Sequence, residues 1–172
     1  MGIQVNQLTN ANVYLNGASL LGRAEEVDLP DIKNTMADHK ALGMVGKLEL
    51  PNGIDKLEAS FKWNAFYRDV AILAANPFRS VAVQVRGSLE TWDGSGRTAQ
   101  VPAVVFMTGT FKEFGAGKHK QHENAEYPNK MAVTYIKCVV NGEVIYEIDV
   151  MNNIYTVAGE DLMAAYRANI GG

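Results

Sequence analysis

The sequence is poor in the residues that make catalysis legible. It holds one cysteine, Cys138, so no intrachain disulfide can form and a multi-cysteine metal centre is excluded. Its neighbours Ile136, Val139 and Val140 favour a structural thiol over a reactive one, and a reducing cytoplasm is the simplest setting. Basic charge is also scarce: 16 Lys and Arg stand against 19 Asp and Glu, a formal charge of −3. That balance argues against tight binding of a phosphate backbone as the main activity. Apolar runs such as Val101 to Met107 fall far short of the ~20 residues a membrane-crossing helix needs. The opening MGIQVNQLTN lacks the basic start and apolar run of a signal peptide, and Asn6 stands where a myristoylation motif places Ser or Thr. A soluble protein is expected. Neither a Walker lysine motif nor a Gly-x-Ser-x-Gly elbow occurs, and Gly115 and Gly117 lack the third glycine and the context of a dinucleotide site.

What is present is a pattern of strands. At 172 residues, 47% apolar and 20% charged, the chain fits one globular domain, 1–172, large enough for a core without staples. From Asp55 to Asn64, Leu57, Ala59, Phe61 and Trp63 alternate with Lys56, Glu58, Ser60, Lys62 and Asn64, and Val81, Val83, Val85 and Leu89 alternate with polar residues from Ser80 to Glu90. Period two marks strands with one buried face. Asn16-Gly17 and Asn141-Gly142 predict two-residue type I′ hairpins, and Asp93-Gly94-Ser95-Gly96 predicts a looser turn into a strand from about Arg97 to Phe114.

Helical signals are fewer. Ala65 to Ala75 aligns Phe66, Val70 and Leu73 between Asn64 as N-cap and Asn76-Pro77 as stop. Gly159 to Asn169 places Glu160 and Asp161 in a first turn, Arg167 in the last and Gly171 beyond it. Segments 36–53 and 115–129 read as long loops, a length that signals function or contact with a partner, and residues 1–10 read as an N-terminal arm. The predicted class is mainly β (α+β): two packed antiparallel sheets in a sandwich or barrel, with one flanking helix and a short C-terminal helix.

Two constellations invite chemistry. His119, His122 and Glu123 in KHKQHE could bind zinc, but no rigid helix presents them and Lys118 and Lys120 oppose a cation, so a solvated loop is the stronger reading. His39 has no triad or cysteine signature near it. Glu143, Glu147 and Asp149 are expected on one face of the strand after Asn141-Gly142, with Val144, Tyr146, Ile148 and Val150 on the other, and residues 143 to 161 hold five acids with no Lys or Arg. Catalytic carboxylate pairs converge from different elements, which one row on one strand does not do. A solvated row that guards an edge, or an acidic surface for a partner, fits better. No cofactor, metal or catalytic residue is expected.

The C-terminal third, TYIKCVVNGEVIYEIDVMNNIYTVAGEDLMAAYRANIG, resembles the major tail tube proteins of contractile-tailed bacteriophages and of R-type pyocins, in its Tyr-Glu-Ile-Asp strand, its Gly-x-Asp step and its closing Arg-x-x-x-Gly. TNANVYLNGASLLGRAEEVDLPDI, with Leu29-Pro30, and LEASFKWN are similar to that family's opening hairpin and central strand. The resemblance spans nearly the whole chain.

It implies a non-enzymatic structural subunit of the inner tube of a contractile phage tail. Such subunits form hexameric rings that join their inner sheets around a channel and stack into a conduit for genome delivery. Implied partners are other copies of the chain, the tail sheath protein, a tape measure protein in the lumen, and baseplate and tail terminator proteins. DNA is met only in transit, without specific binding, and no membrane is involved. The implied location is the virion tail, assembled in the host bacterial cytoplasm. On that basis Glu58, Ser60, Lys62, Thr108, Thr110 and Lys112 are candidate lumen-facing residues. Glu143, Glu147, Glu160 and Asp161 are candidates for the sheath, and Leu42, Met44, Leu48 and Leu50 for contacts between subunits. The alternatives are the tube of a genome-free tailocin or other injection system and, from another class, a monomeric ligand-binding β-barrel.

Overall fold

In a computed structural model that describes residues 2–172, the alternating segments become strands. In chain order these are β1 (Val5–Gln7), β2 (Ala11–Leu15), β3 (Ala18–Ser19), β4 (Ala24–Asp28), β5 (Asn34–His39), β6 (Leu48–Ile54) and β7 (Leu57–Trp63). Helix α1 (Arg68–Ala74) precedes β8 (Val81–Asp93), β9 (Gly96–Phe114), β10 (Tyr127–Val140), β11 (Glu143–Asp149), β12 (Ile154–Val157), β13 (Glu160–Asp161) and α2 (Ala164–Ile170). Every pairing is antiparallel. The expected class holds: mainly β, with one flanking helix and a short C-terminal one.

Strands β8, β9 and β10 are the spine. One edge of β10 pairs with β9 along most of its length, while the other pairs first with β7 and then with β11. The sheet therefore branches and wraps one face around a single core. Leu57, Ala59, Phe61 and Trp63 point inward from β7 to meet Val81 and Val83 of β8, Met107 and Phe111 of β9, and Met131 and Ile136 of β10. Phe61 stacks on Trp63 with ring centroids 5.7 Å apart and touches Phe111 at 6.0 Å. Each such side chain contributes about 1.5–3 kcal/mol by leaving water. Buried Asn129, with its amide oriented so that the oxygen faces Trp63, accepts the indole N–H at 3.2 Å.

Both Asn-Gly turns have the positive φ a type I′ turn demands: 46° and 83° at Asn16-Gly17, 50° and 82° at Asn141-Gly142. Helix α1 starts later than the sequence suggested, with Tyr67 as its N-cap. Asn64 instead accepts a hydrogen bond from the Tyr67 hydroxyl (2.5 Å) and donates to the Gly22 carbonyl (2.9 Å), and Phe66 stays exposed ahead of the helix. Val70 and Ala74 seal α1 onto the core.

Three further expectations change. Segment 36–53 is largely a β-hairpin: β5 and β6 pair from Asn34↔Ile54 to His39↔Leu48 as a separate two-stranded sheet, and every residue from 34 to 53 is exposed. Segment 115–129 ends in strand, because β10 begins at Tyr127 and Lys118 bridges to Glu126. Glu160 and Asp161 form β13 rather than the first turn of a helix. Ala158 (φ 47°) and Gly159 (φ 86°) make a two-residue turn that pairs Val157 with Glu160, so α2 starts only at Ala164. The arm at residues 1–10 docks through β1 on the distal half of β8, Val5 opposite Trp92; its Met1 lies outside the described residues.

Candidate functional site

The face of the sheet turned away from the core is built by the same alternation that builds the core. Glu58, Ser60 and Lys62 of β7 lie opposite Ala132, Lys130 and Pro128 of β10, and Ala132 lies opposite Thr110 of β9. A β-bulge between Lys130 and Met131 adds one residue to β9, and that residue, Lys112, reaches across β10 to pair with the Glu58 carboxylate. A second bulge frees Thr134 to donate from its hydroxyl to the Thr108 carbonyl (3.2 Å), and Thr108 faces outward beside Tyr135 and Ala82. All six residues expected to line a lumen therefore share one continuous face.

That face is polar but not bare. Lys62 sits between Glu126 (3.2 Å) and Glu25 (3.3 Å), whose hydrogen bonds raise its pKa. Lys112 beside Glu58 holds that carboxyl below its ordinary value. Ser60 donates to Asp28 at 2.7 Å. Further along, Tyr135 donates to Glu147 (2.8 Å), and burial, seconded by that bond, pushes its phenol up to about 12. A shallow depression of about 490 Å³, lined by Gln84, Phe106, Thr108, Tyr135, Lys137 and Val144 among others, lies in this part of the face.

The acidic row does not survive as a row. A bulge at Ile145 breaks the alternation of β11: Cys138 opposes Tyr146, but Val139 opposes Val144. Glu147 therefore points to the polar face beside Lys137, whereas Glu143, opposite Val140, points to the other side. The register carries the split onward, because Thr156 aligns Glu147 with Asp161 while Val157 lies between Tyr146 and Glu160. Asp161 is bound to Arg167, which also donates to the Asn153 carbonyl, and this contact holds its carboxyl below its usual value. Glu143 and Glu160 are the two exposed acids on the core-side face, so the four candidates divide into pairs on opposite faces.

Leu42, Met44, Leu48 and Leu50 all lie on the β5–β6 hairpin and are all exposed, as are Met36 and Val45. An isolated two-stranded hairpin is at best marginally stable, and this one adds apolar side chains that the other described residues leave exposed.

The suspected metal cluster does not assemble. His119 rests edge-on against Tyr127, with centroids 6.1 Å apart, and Glu123 pairs with Lys120. No group of three metal-ligating side chains converges among the described residues, and no helix among them is long and apolar enough to cross a membrane. Cys138 is half-buried, and burial raises its thiol pKa. The features that sequence reasoning missed are the β5–β6 hairpin, the β11 bulge and the Ala158-Gly159 turn; only Gly159 signalled the last.

Comparison with known proteins agrees with this anatomy. The chain is 33% identical to the tail tube protein of Escherichia phage P2 over 164 residues, covering 93% of this chain and 94% of that protein. It is 25% identical to the major tail tube protein of Serratia phage KSP20 over 152 residues, covering 87% and 86%. In fold it is similar to a chain in the cryo-EM structure of an extracellular contractile injection system, the PVC sheath-tube complex in its extended state, with a TM-score of 0.53 at 9% identity, over 75% of this chain and 87% of that one. The model of the phage tail tube protein FII family matches residues 5–171, and the chain belongs to that family.

Proposed function

We propose that the chain is the structural subunit of the inner tube of a contractile phage tail, acting through its assembled shape and not through turnover. The observation that carries this is the family match along residues 5–171, together with relatives that are tail tube proteins of phages. The anatomy supports it: the conspicuous features are a polar face, open sheet edges at β3, β4 and β13, and a hairpin of uncovered apolar residues. Edges and patches of this kind are liabilities in a monomer and joints in a polymer.

Subunits join edge to edge into hexameric rings, which removes the open edges, and the face carrying Glu58, Ser60, Lys62, Thr108, Thr110 and Lys112 lines the bore. The β5–β6 hairpin and the β1 arm reach neighbouring subunits, burying Leu42, Met44, Leu48 and Leu50. Glu143 and Glu160, on the opposite face from Glu147, are the better candidates for a releasable, charge-complementary contact with the sheath. Asp161 instead anchors α2 through Arg167. A tape measure protein occupies the bore during assembly, baseplate and terminator proteins meet the ends, and DNA passes without being held. The tube lies in the virion tail after assembly in the bacterial cytoplasm.

Sedimentation of the purified chain tests the central step. Polymers that appear as hollow rods in electron micrographs are the expected result, and a strict monomer at high concentration would refute it. Such a monomer would revive the ligand-binding alternative, although the larger depressions, about 680 and 490 Å³, lie open on the surface. A genome-free tube would pass the sedimentation test equally; the phage origin of both sequence relatives favours the genome-carrying tail.

A further inference from the structure

The eleven-stranded sheet carries four lysines within its strands, Lys62, Lys112, Lys130 and Lys137, and all four lie on the polar face. All are paired with carboxylates: Lys62 with Glu25 and Glu126, Lys112 with Glu58, Lys130 with Glu113 (3.3 Å) and Lys137 with Glu147 (3.9 Å). Of the six lysines outside the strands, Lys33 pairs with Asp31 and Lys120 with Glu123, while Lys40, Lys47, Lys56 and Lys118 make no ion pair among the described residues. Arg97, near the tip of the β8–β9 hairpin, is paired with Glu90, and Arg86 is held over the Tyr14 ring and bonded to Gln84.

We infer that the carboxylates of this face mask its lysines, so that the wall resists capture of a polyanionic cargo such as duplex DNA. The inference rests on the proposal that this face lines the bore. The mask does not require strong pairs, which at partly exposed sites are worth little. It requires only that each lysine have a negative charge a few ångströms away, because such a pair presents a dipole whose field decays faster than that of a lone ammonium. The lysines retain their packing along the strands while offering no net cation to a passing phosphate. A wall without lysines would also fail to attract DNA, but it would leave Glu58, Glu113 and Glu147 as uncompensated negative charges on the strands that flank β10.

Tubes assembled from the full chain test this with the isosteric substitutions Glu58→Gln, Glu113→Gln and Glu147→Gln combined, in which Tyr135 keeps an oxygen acceptor at position 147. A second variant adds Lys112→Gln, Lys130→Gln and Lys137→Gln. The probes are a short linear duplex and a closed circular duplex. The triple variant should retain the linear duplex, with a log–log salt slope steeper by about 0.9 for each lysine–phosphate contact made, so that even three contacts give a roughly 40-fold fall in affinity between about 50 and 200 mM salt. The single variant Glu113→Gln, which frees one lysine per subunit in place of three, should steepen the slope about one third as much. The parent tubes and the variant that also lacks those three lysines should retain little. If circles are held as well as linear DNA, the mask is real but the face is not the bore. If intact triple-variant tubes hold no more linear duplex than the parent, or if the variant that also lacks the three lysines holds as much as the triple variant, the masking is refuted.

Discussion

Gly109 provides a test of how closely the two long strands behind the polar face approach. It is buried in β9 between Thr108 and Thr110, opposite Val133, where β10 carries its bulge. A Cβ added there would lie 2.1 Å from the Ala132 carbonyl oxygen and 2.9 Å from the Val133 Cα. Ordinary contact begins at 3.4 Å, so 3.4 less 2.1 leaves 1.3 Å to be found. The obstacle is backbone within a hydrogen-bonded ladder, and a rotamer change cannot supply that space. Gly109→Ala should therefore destabilise the unassembled subunit by about 3 kcal/mol, the upper part of the overpacking range. For a domain of this size that lowers the melting temperature by roughly 6–12 °C. Gly87→Ala is the control: its Cβ would meet the Leu8 side chain at 3.0 Å and the Asn10 carbonyl at 3.2 Å, so only a few tenths of an ångström must be found, mostly by a flexible side chain. It should stay within about 0.5 kcal/mol of the parent. Urea unfolding followed by the fluorescence of buried Trp63 measures both. A Gly109→Ala protein as stable as the Gly87→Ala control would show that β9 and β10 are not in the close contact described.

Other consequences are independent of that contact. Glu58 and Asp161 have folded pKa values below their ordinary 4.5 and 3.8. The stability they contribute should be present above those ordinary values and lost as pH falls through the lower folded ones. Acid melting curves of Glu58→Gln and Asp161→Asn should accordingly converge with the parent only at the acid end. Ala158 sits at φ 47°, a conformation that costs a residue with a Cβ about 1 kcal/mol. Ala158→Asn should raise stability by roughly 0.5–1 kcal/mol in the same unfolding assay, and a loss would argue against the Ala158-Gly159 turn. Leu48→Lys with Leu50→Lys should leave subunit melting within about 0.5 kcal/mol, because both side chains are already exposed, yet abolish sedimentable polymer.

The strands were legible where alternation was strict. Leu57 to Trp63 and Val81 to Val85 bury the residues their pattern nominates, because one side chain in two must leave water. The Asn-Gly turns were legible because positive φ selects those residues. Alternation failed where a bulge inserted a residue. Ile145 carries no mark of its bulge, and one extra residue moved Glu143 to the face opposite Glu147 and dissolved a row that looked continuous in sequence. The Ala158-Gly159 turn was hidden because Ala replaces the Asn or Gly that usually announces it, so two strand residues passed for a helix start. The β5–β6 hairpin was hidden for a different reason: its apolar residues have no core to face, and a pattern without a buried side reads as loop. The lumen candidates came together because they inherit their geometry from the core residues between them. Lys112 joined them by the same alternation, one step beyond buried Phe111, and the bulge after it turned Glu113 to that face as well.

A cryo-EM map of the assembled polymer, at a resolution that orients β7, β9 and β10, tests the proposed architecture most directly. The expected result is a hollow rod of stacked six-subunit rings in which Glu58, Thr108, Thr110 and Lys112 face the bore while the β5–β6 hairpin reaches a neighbouring subunit. A rod whose bore is lined by the opposite face, with these residues on the outside, would contradict it.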